Sequence, residues 1–532
     1  MPAHARRRSH RSTVRRRCSL VMVCMLVILA GGLAVGAPLC PGADPLTSTI
    51  PPPSKGPLGQ QQKLVFAHYF PPYPISIDNR DPESDYYATE YLNPDGEGGI
   101  HAVYGGLLRD RPLPRNPRPG DDWRQQDLAE EVKQASSAGI DGFSVDILAS
   151  HDNSAWIAPI PSLLLRVAEQ TNPQFKIMLM PDMNGELGTL TPQHLASEMA
   201  LLAASPAAFR LADGRLVVAP YIAENRPVSW WQDFISAMNV TYKIDVALVP
   251  VFLDATSDYI TQFAPIAFGM SDWGRRNPAG NPVDGFTIDT IRHVHKLSRI
   301  WMQPVSVQDY RPRDQIYDEA ENTTNLRNTW KIAIDGKADW VHGITWNDYS
   351  ENTAIAPSVR HGSALLDIFS YYTAYFKWGV PPPITMDRAF LTHRTQLIDA
   401  SRYGNQTALA SLRQGSTSGR NAVEALAFLR APALVTLTVG SSRTFCNAPA
   451  GVSTCLAPIA QPGPDGSTVR VNVTRGHRSV VTLTSPHTIV ANPLDQDLSY
   501  VVSGARANEN VRPVAARRRC AQSSARSSDV RN

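Results

Sequence analysis

Eight short β-prone runs, each followed by a stretch with helical periodicity, fill the middle of this chain and leave few ways to fold it. The runs are 63–69, 140–147, 175–182, 215–221, 246–252, 266–272, 299–305 and 340–346. Apolar residues recurring at helical spacing predict helices over 125–137, 161–170, 192–204, 230–238, 257–263, 288–297, 325–334 and 363–376. Strand and helix in strict alternation imply a parallel sheet, and eight such units are the count of a (β/α)8 barrel of the TIM type. An open, doubly wound sheet would show the same alternation, but no Gly-rich phosphate loop follows any of the runs.

After Pro381, Pro382 and Pro383 the texture changes. The segments 433–439, 468–474 and 479–484 alternate Thr with Val and Leu, the pattern of half-buried antiparallel strands, and predict a small all-β, sandwich-like domain over 381–505. The barrel then occupies 63–380. Cys446 and Cys455 flank eight residues and are the candidate disulfide of an oxidising compartment, two unrelated buried thiols being the alternative. Cys18 and Cys24 fall in the apolar run over 18–39, and Cys40 and Cys520 have no assigned role.

That run follows an arginine-rich, acid-free start, the layout of an export signal over 1–36, and points to an extracellular, secreted protein. An uncleaved anchor through 18–39 is the alternative. Residues 37–62 read as a Pro- and Gly-rich linker, and 506–532 as a disordered tail. The signal holds seven arginines and no acid, so its removal takes the formal charge from +3 to 3 − 7 = −4. A nucleic-acid partner loses its compositional support, and no stable protein partner is implied.

Catalytic residues of such barrels come from the C-terminal ends of the strands. Here those ends carry His68 and Tyr69, Asp146, Asp182, Glu224, Asp254, Asp272 with Trp273, Gln308 with Asp309, and Trp346-Asn347-Asp348-Tyr349-Ser350-Glu351. A long Pro- and Gly-rich segment over 71–121 lies on the same side. Several acids interleaved with aromatics suit a sugar cleft, because an oxocarbenium-like transition state needs a proton donor and a second carboxylate, while aromatic faces stack on sugar rings. His68 stands alone at its end of the sheet, and the cysteines lack zinc-ligand spacing, so no metal is expected.

Asp348 and Glu351 are the leading pair. Three residues of extended chain reach about 10 Å, enough for two carboxyl groups to flank an attacking water. A regular strand would point them to opposite faces, so the backbone has to bend, with Ser350 in the bend. The alternative has Asp348 capping a turn and Glu351 solvated on a loop.

Five strings, in order, resemble the motifs of glycoside hydrolase family 71, the α-1,3-glucanases or mutanases. They are Val65-Phe-Ala-His-Tyr69; Ala138-Gly-Ile-Asp-Gly-Phe143 with Asp146; Phe175-Lys176 through Asp182-Met183; Ser271-Asp272-Trp273; and Thr345-Trp-Asn-Asp-Tyr-Ser-Glu351. The resemblance covers about 63–378 and extends to the β region. It implies endo-acting, inverting hydrolysis of α-1,3-glucan without cofactor. Asp348 and Glu351 would be the catalytic pair, with Glu351 as general acid and Asp348 as base. His68, Tyr69, Asp146, Asp182, Asp272, Trp273, Trp346, Asn347 and Tyr349 would contact substrate. The chain departs from the family pattern in two places. Phe70-Pro-Pro-Tyr-Pro74 and a long insertion follow His68 where Met-Val-Gly is usual, and Asp146 stands where Asn is common. Hydrolysis of another α-glucan or wall polysaccharide, or non-catalytic glycan binding, are the competing readings.

Overall fold

The computed structural model describes residues 63–400, 404 and 406–507. The expected signal and linker, residues 508–532 of the expected tail, and Cys18, Cys24, Cys40 and Cys520 lie outside the described residues. Among those described, no helix is long and apolar enough to cross a membrane.

The first part of the fold is built from β1 (Leu64–Tyr69), β2 (Gly142–Ile147), β3 (Lys176–Pro181), β4 (Leu216–Val218), β5 (Val246–Leu248), β6 (Val251–Phe252), β7 (Gly269–Asp272), β8 (Ile300–Ser306), a hairpin of β9 (Asp309–Arg311) and β10 (Ile316–Asp318), and β11 (Trp340–Ile344). The hairpin aside, these form one parallel sheet in the order β5-β4-β3-β2-β1-β11-β8-β7-β6. Helices follow the strands: α1 (Trp123–Ser137), α2 (Ile160–Thr171), α3 (Pro192–Leu202), α4 (Val228–Tyr242), α5 (Ser257–Phe263), α6 (Phe286–Lys296), α7 (Thr324–Asp335) and α8 (Ala364–Trp378). Local chemistry sets several starts. Thr191 and Thr256 accept the amides of His194 and Tyr259 at 3.2 Å, satisfying N–H groups that the first turn leaves without partners.

The run expected as one strand over 246–252 is two, β5 and β6, at opposite ends of the sheet order. Proline explains the break. On one flank the amides of Val249 and Val251 donate to Val218 and Pro220 at 2.9 and 3.0 Å, whereas Pro250 has no N–H to donate to the other flank. That flank is held instead by Phe268 donating to Leu248 at 2.8 Å and Ser271 to Pro250 at 2.9 Å. The sheet therefore curls until its two ends meet on one interrupted run, a TIM-barrel-like arrangement.

Strand period two sorts the side chains. Phe66, Met178, Val217, Ala247, Met302 and Trp340 pack inside the curl. Val65, Ala67, Phe143, Val145, Ile177 and Leu179 pack outside, with residues of the helices.

The C-terminal region contains β12 (Arg388–His393), β13 (Ser411–Leu412), β14 (Ala422–Leu429), β15 (Ala433–Val439), β16 (Ser442–Ala448), β17 (Gly451–Pro458), β18 (Val469–Arg475), β19 (Arg478–Thr484) and β20 (Val501–Arg506). Two antiparallel sheets, β17-β14-β12-β20 and β16-β15-β18-β19, share a core of Leu391, Ala425, Val435, Leu437 and Val471. Cys446 on β16 and Cys455 on β17 are disulfide-bonded, so the bridge joins one sheet to the other. The short β13 leaves both sheets and pairs in parallel with β10, giving a third sheet β13-β10-β9.

Candidate active site

Alternation along the strands brings one set of polar side chains into the mouth of the curl. On β1, Phe66 is inside while Val65, Ala67 and Tyr69 are outside, so His68 faces inward. By the same parity Ser144 and Asp146 of β2 and His342 of β11 face inward. Ser144 Oγ and His342 Nε2 are 2.6 Å apart. His68 lies one layer higher, with Nε2 3.7 Å from Asp146 Oδ2 and Nδ1 3.3 Å from Met180 Sδ. Trp273 meets the His68 ring edge-on at 4.9 Å and sits 4.6 Å from the Tyr221 ring.

Past β11 the chain bends at the position expected. Asp348 Oδ1 accepts the Ser350 amide at 2.9 Å, the Ser350 hydroxyl at 2.7 Å and the Glu351 amide at 3.1 Å. Asp348 thus caps a turn, as in the alternative, but Glu351 is not left open to solvent. Its side chain is 20 % exposed, and Oε1 lies 2.6 Å from Arg311 Nη1. Glu351 Oε2 is buried without a hydrogen-bond partner. The loop is tied to the hairpin by Tyr310 N donating to Glu351 O at 2.9 Å and Asn352 Nδ2 to Tyr310 O at 2.7 Å.

Burial decides the charge states. It holds the His68 imidazole well below its ordinary value, helped by His342 and Arg276, so His68 is neutral and its approach to Asp146 is not an ion pair. Burial raises Asp146 well above the carboxylate range, with Asp182 and Asp348 adding repulsion. It raises Asp348 too, opposed by the Ser350 hydroxyl, the Glu351 amide and Arg311. Glu351 is lifted to about 8: burial, with Asp348 and Asp309, outweighs the Arg311 and Arg276 guanidiniums. At neutral pH Glu351 is therefore mostly a protonated acid. Asp272 is lifted to about 7, by burial and Asp254.

Unpartnered buried atoms cluster at this end of the sheet. They include Asp146 Oδ1, Glu224 Oε2, Asp272 Oδ1, Glu351 Oε2, and Nε and Nη2 of Arg276. In an interior where buried polar atoms are normally satisfied, such a concentration marks a place built to meet a polar ligand. Among the described residues, no group of three His, Cys, Asp or Glu side chains could hold a metal ion.

Four of the expected substrate contacts lie elsewhere. Tyr69 projects outward, and its hydroxyl donates to Glu131 Oε2 at 3.0 Å; Trp346 Nε1 donates to the other oxygen of the same carboxyl at 3.2 Å. Both belong to the outer core, where period two and the bend after β11 put them. Asn347 spends its amide on the backbone, accepting Phe70 N at 2.7 Å and donating to Phe70 O and Tyr73 O at 2.9 Å. Tyr349 is buried with Tyr73 and Tyr87 under the 71–121 segment. These residues support the loop after β11 rather than face the mouth of the sheet. Asp272 alternates with the inward Trp273 and stands toward Asp254 and Arg275.

Sequence reasoning missed Arg276, Arg311, Tyr221 and Glu131. Arg275-Arg276 and Arg311-Pro-Arg313, basic residues within a few positions of two strand ends, are the signal in the sequence that acids and aromatics alone do not carry.

Residues 119–509, well over half of the chain, match the profile of Glycosyl hydrolase family 71. A curated relative, the ascus wall endo-1,3-alpha-glucanase of Schizosaccharomyces pombe, is 23 % identical over 250 residues, 44 % of this chain and 55 % of that protein. The chain thus spans about half the length of the curated relative it matches. Among solved structures, the GH99 endo-alpha-mannosidase from Bacteroides thetaiotaomicron aligns over 59 % of this chain and 98 % of its own, with TM-score 0.45 and 13 % identity. A GH2 family member from Bacteroides cellulosilyticus aligns over 68 % of this chain and 43 % of its own, with TM-score 0.37 and 11 % identity.

Proposed function

Because this chain belongs to glycosyl hydrolase family 71, we propose that it is a secreted endo-hydrolase of α-1,3-linked glucan, working with inversion on a (β/α)8 barrel through Glu351 and Asp348. The observation that carries the reading is the contrast between these neighbouring carboxyls. Both are raised by burial, but Glu351 keeps its proton to about 8 and has one oxygen without a protein partner, whereas Asp348 accepts three hydrogen bonds that oppose the effect of burial and favour its anion.

In the proposed step, Glu351 gives its proton to the glycosidic oxygen as the bond to the anomeric carbon breaks. Asp348 takes a proton from the water that attacks that carbon from the opposite face. The leaving chain departs with a hydroxyl, and the new reducing end carries the opposite anomeric configuration. Trp273 and Tyr221 offer aromatic faces beside the neutral His68, suited to a sugar ring whose hydroxyls would satisfy Asp146 and Arg276.

Purified protein incubated with insoluble α-1,3-glucan, dextran and β-1,3-glucan tests this. Reducing ends should appear from the first alone, with the β-anomer seen first by proton NMR. No release from α-1,3-glucan would sink the substrate, and initial α-anomer would sink inversion.

A further inference from the structure

The segment between β12 and β14 leaves the C-terminal sheets to place Arg413 against the hairpin that carries Arg311. Ser411 N donates to Gln315 O at 2.9 Å and Arg413 N to Tyr317 O at 2.8 Å, which fixes the backbone there. Arg413 then spans two aspartates, with Nε 2.8 Å from Asp318 Oδ2 and Nη2 3.3 Å from Asp309 Oδ2. The same Asp309 Oδ2 lies 2.7 Å from Arg311 Nη2, and Arg311 Nη1 continues to Glu351 at 2.6 Å. The Asp309 side chain is 1 % exposed and Arg413 is 37 % exposed, so solvent screens the outer contact more than the Arg311 contact beneath it. A second connection from the same region holds the hairpin's entry. Tyr500 N donates to Gln308 Oε1 at 2.7 Å, and Tyr310 OH donates to Gln496 O at 2.5 Å.

We infer that the C-terminal β region completes the active site, with Arg413 a positioning residue that acts on Glu351 through Asp309 and Arg311. This rests on the reading of Glu351 as the general acid. Each charge in the chain limits its neighbour: Arg413 takes part of the Asp309 anion, and Asp309 takes part of the Arg311 cation. What remains of Arg311 opposes the burial that holds the Glu351 proton in place. The other groups facing Glu351 are Asp348 on its own loop and Arg276 and Tyr221 from across the mouth.

The test uses the full chain and two readouts, turnover on whichever glucan the wild type cleaves and infrared titration of Glu351, isolated as wild type minus Glu351→Gln. Without Arg413, Asp309 claims more of Arg311, so Arg413→Gln should raise the Glu351 midpoint by about half to one pH unit. Asp309→Asn removes an adjacent anion and should lower it. Arg413→Gln should also cut kcat by roughly tenfold with KM within about twofold, and adding it to Asp309→Asn should cost nothing further. A merely structural clamp would lower the melting temperature and leave the midpoint and kcat unmoved, and that result overturns the inference. If Glu351→Gln keeps its rate, the acid assignment fails instead, and the titration still decides the relay. Should Arg413→Gln fail to fold, Arg413→Lys, which keeps the charge but cannot span both aspartates, is measured the same way.

Discussion

Arg311 Nη1 stands 2.6 Å from one oxygen of Glu351, and the other oxygen is buried with no partner at all. A guanidinium this close would ordinarily hold a glutamate ionised. Burial and the two aspartates win instead, and the acid keeps its proton to about 8. The pair is thus an acid with an anchored cation waiting for it: once the proton leaves, Arg311 already faces the charge.

The first consequence is a pH profile. Hydrolysis by protonated Glu351 should hold through neutrality and fall as pH rises through about 8. Initial rates at low substrate between pH 5 and 10 check this. Arg311→Gln should move the alkaline limb upward, because the cation that favours ionisation is gone, while lowering kcat.

Glu351→Gln should reduce kcat by roughly 10²–10⁴-fold with little change in substrate binding. Asp348→Asn should be similarly inactive yet keep its melting temperature, since the amide oxygen still accepts the hydrogen bonds that close the turn. Asp348→Ala loses those bonds as well and should cost about 1–3 kcal/mol of stability. Turnover and calorimetry on the three variants separate chemistry from support.

Glu131 gives a stability test remote from turnover. Buried on α1 between the Tyr69 hydroxyl and the Trp346 indole, its carboxyl is raised to about 8. The folded state therefore holds this proton more tightly than the unfolded chain. The stabilisation it gives is complete below the ordinary glutamate range and is lost as pH rises through about 8. Between pH 5 and 9 the wild-type melting temperature should fall more steeply than that of Glu131→Gln. Parallel curves would refute this charge state.

Breaking the Cys446–Cys455 bridge opens a loop of sequence separation 9 and should cost about 2–3 kcal/mol in the chain-entropy account. Paired Ser substitutions should unfold the C-terminal sheets at lower denaturant, and reductant should have no further effect on that variant.

Periodicity made the parallel sheet and its helices legible, because each buried strand and each amphipathic helix declares its own period over several residues. Pro250 was legible in principle, since a proline inside a doubly flanked strand must break one side of the ladder. Asp348 and Glu351 stood out by position and spacing. What sequence could not give was direction beyond the strand ends. Tyr69 and His68 are adjacent, and only the identity of their inward and outward neighbours tells which enters the mouth. Trp346 and Asn347 sit beside the pair in sequence, yet their polar groups are consumed by Glu131 and by the backbone of Phe70 and Tyr73. Arg413 was out of reach altogether, for its contact with Asp309 spans 104 residues and depends on a two-residue strand, β13, with no pattern of its own.

The hairpin of β9 and β10 has a consequence for synthesis. Gln308, at its entry, bonds to Tyr500, which is 192 residues further along the chain. At about 5–20 residues per second a ribosome needs on the order of ten seconds or more to cover that gap. For about the first half of that interval β10 has an open edge, because β13, which begins at Ser411, has not yet been made, and the cradle of Arg311 is incomplete. A chain ending after α8 would lack Arg413 against Asp309, and would also lack Phe390, Leu426, Phe428 and Val502 from the core that surrounds the sheet.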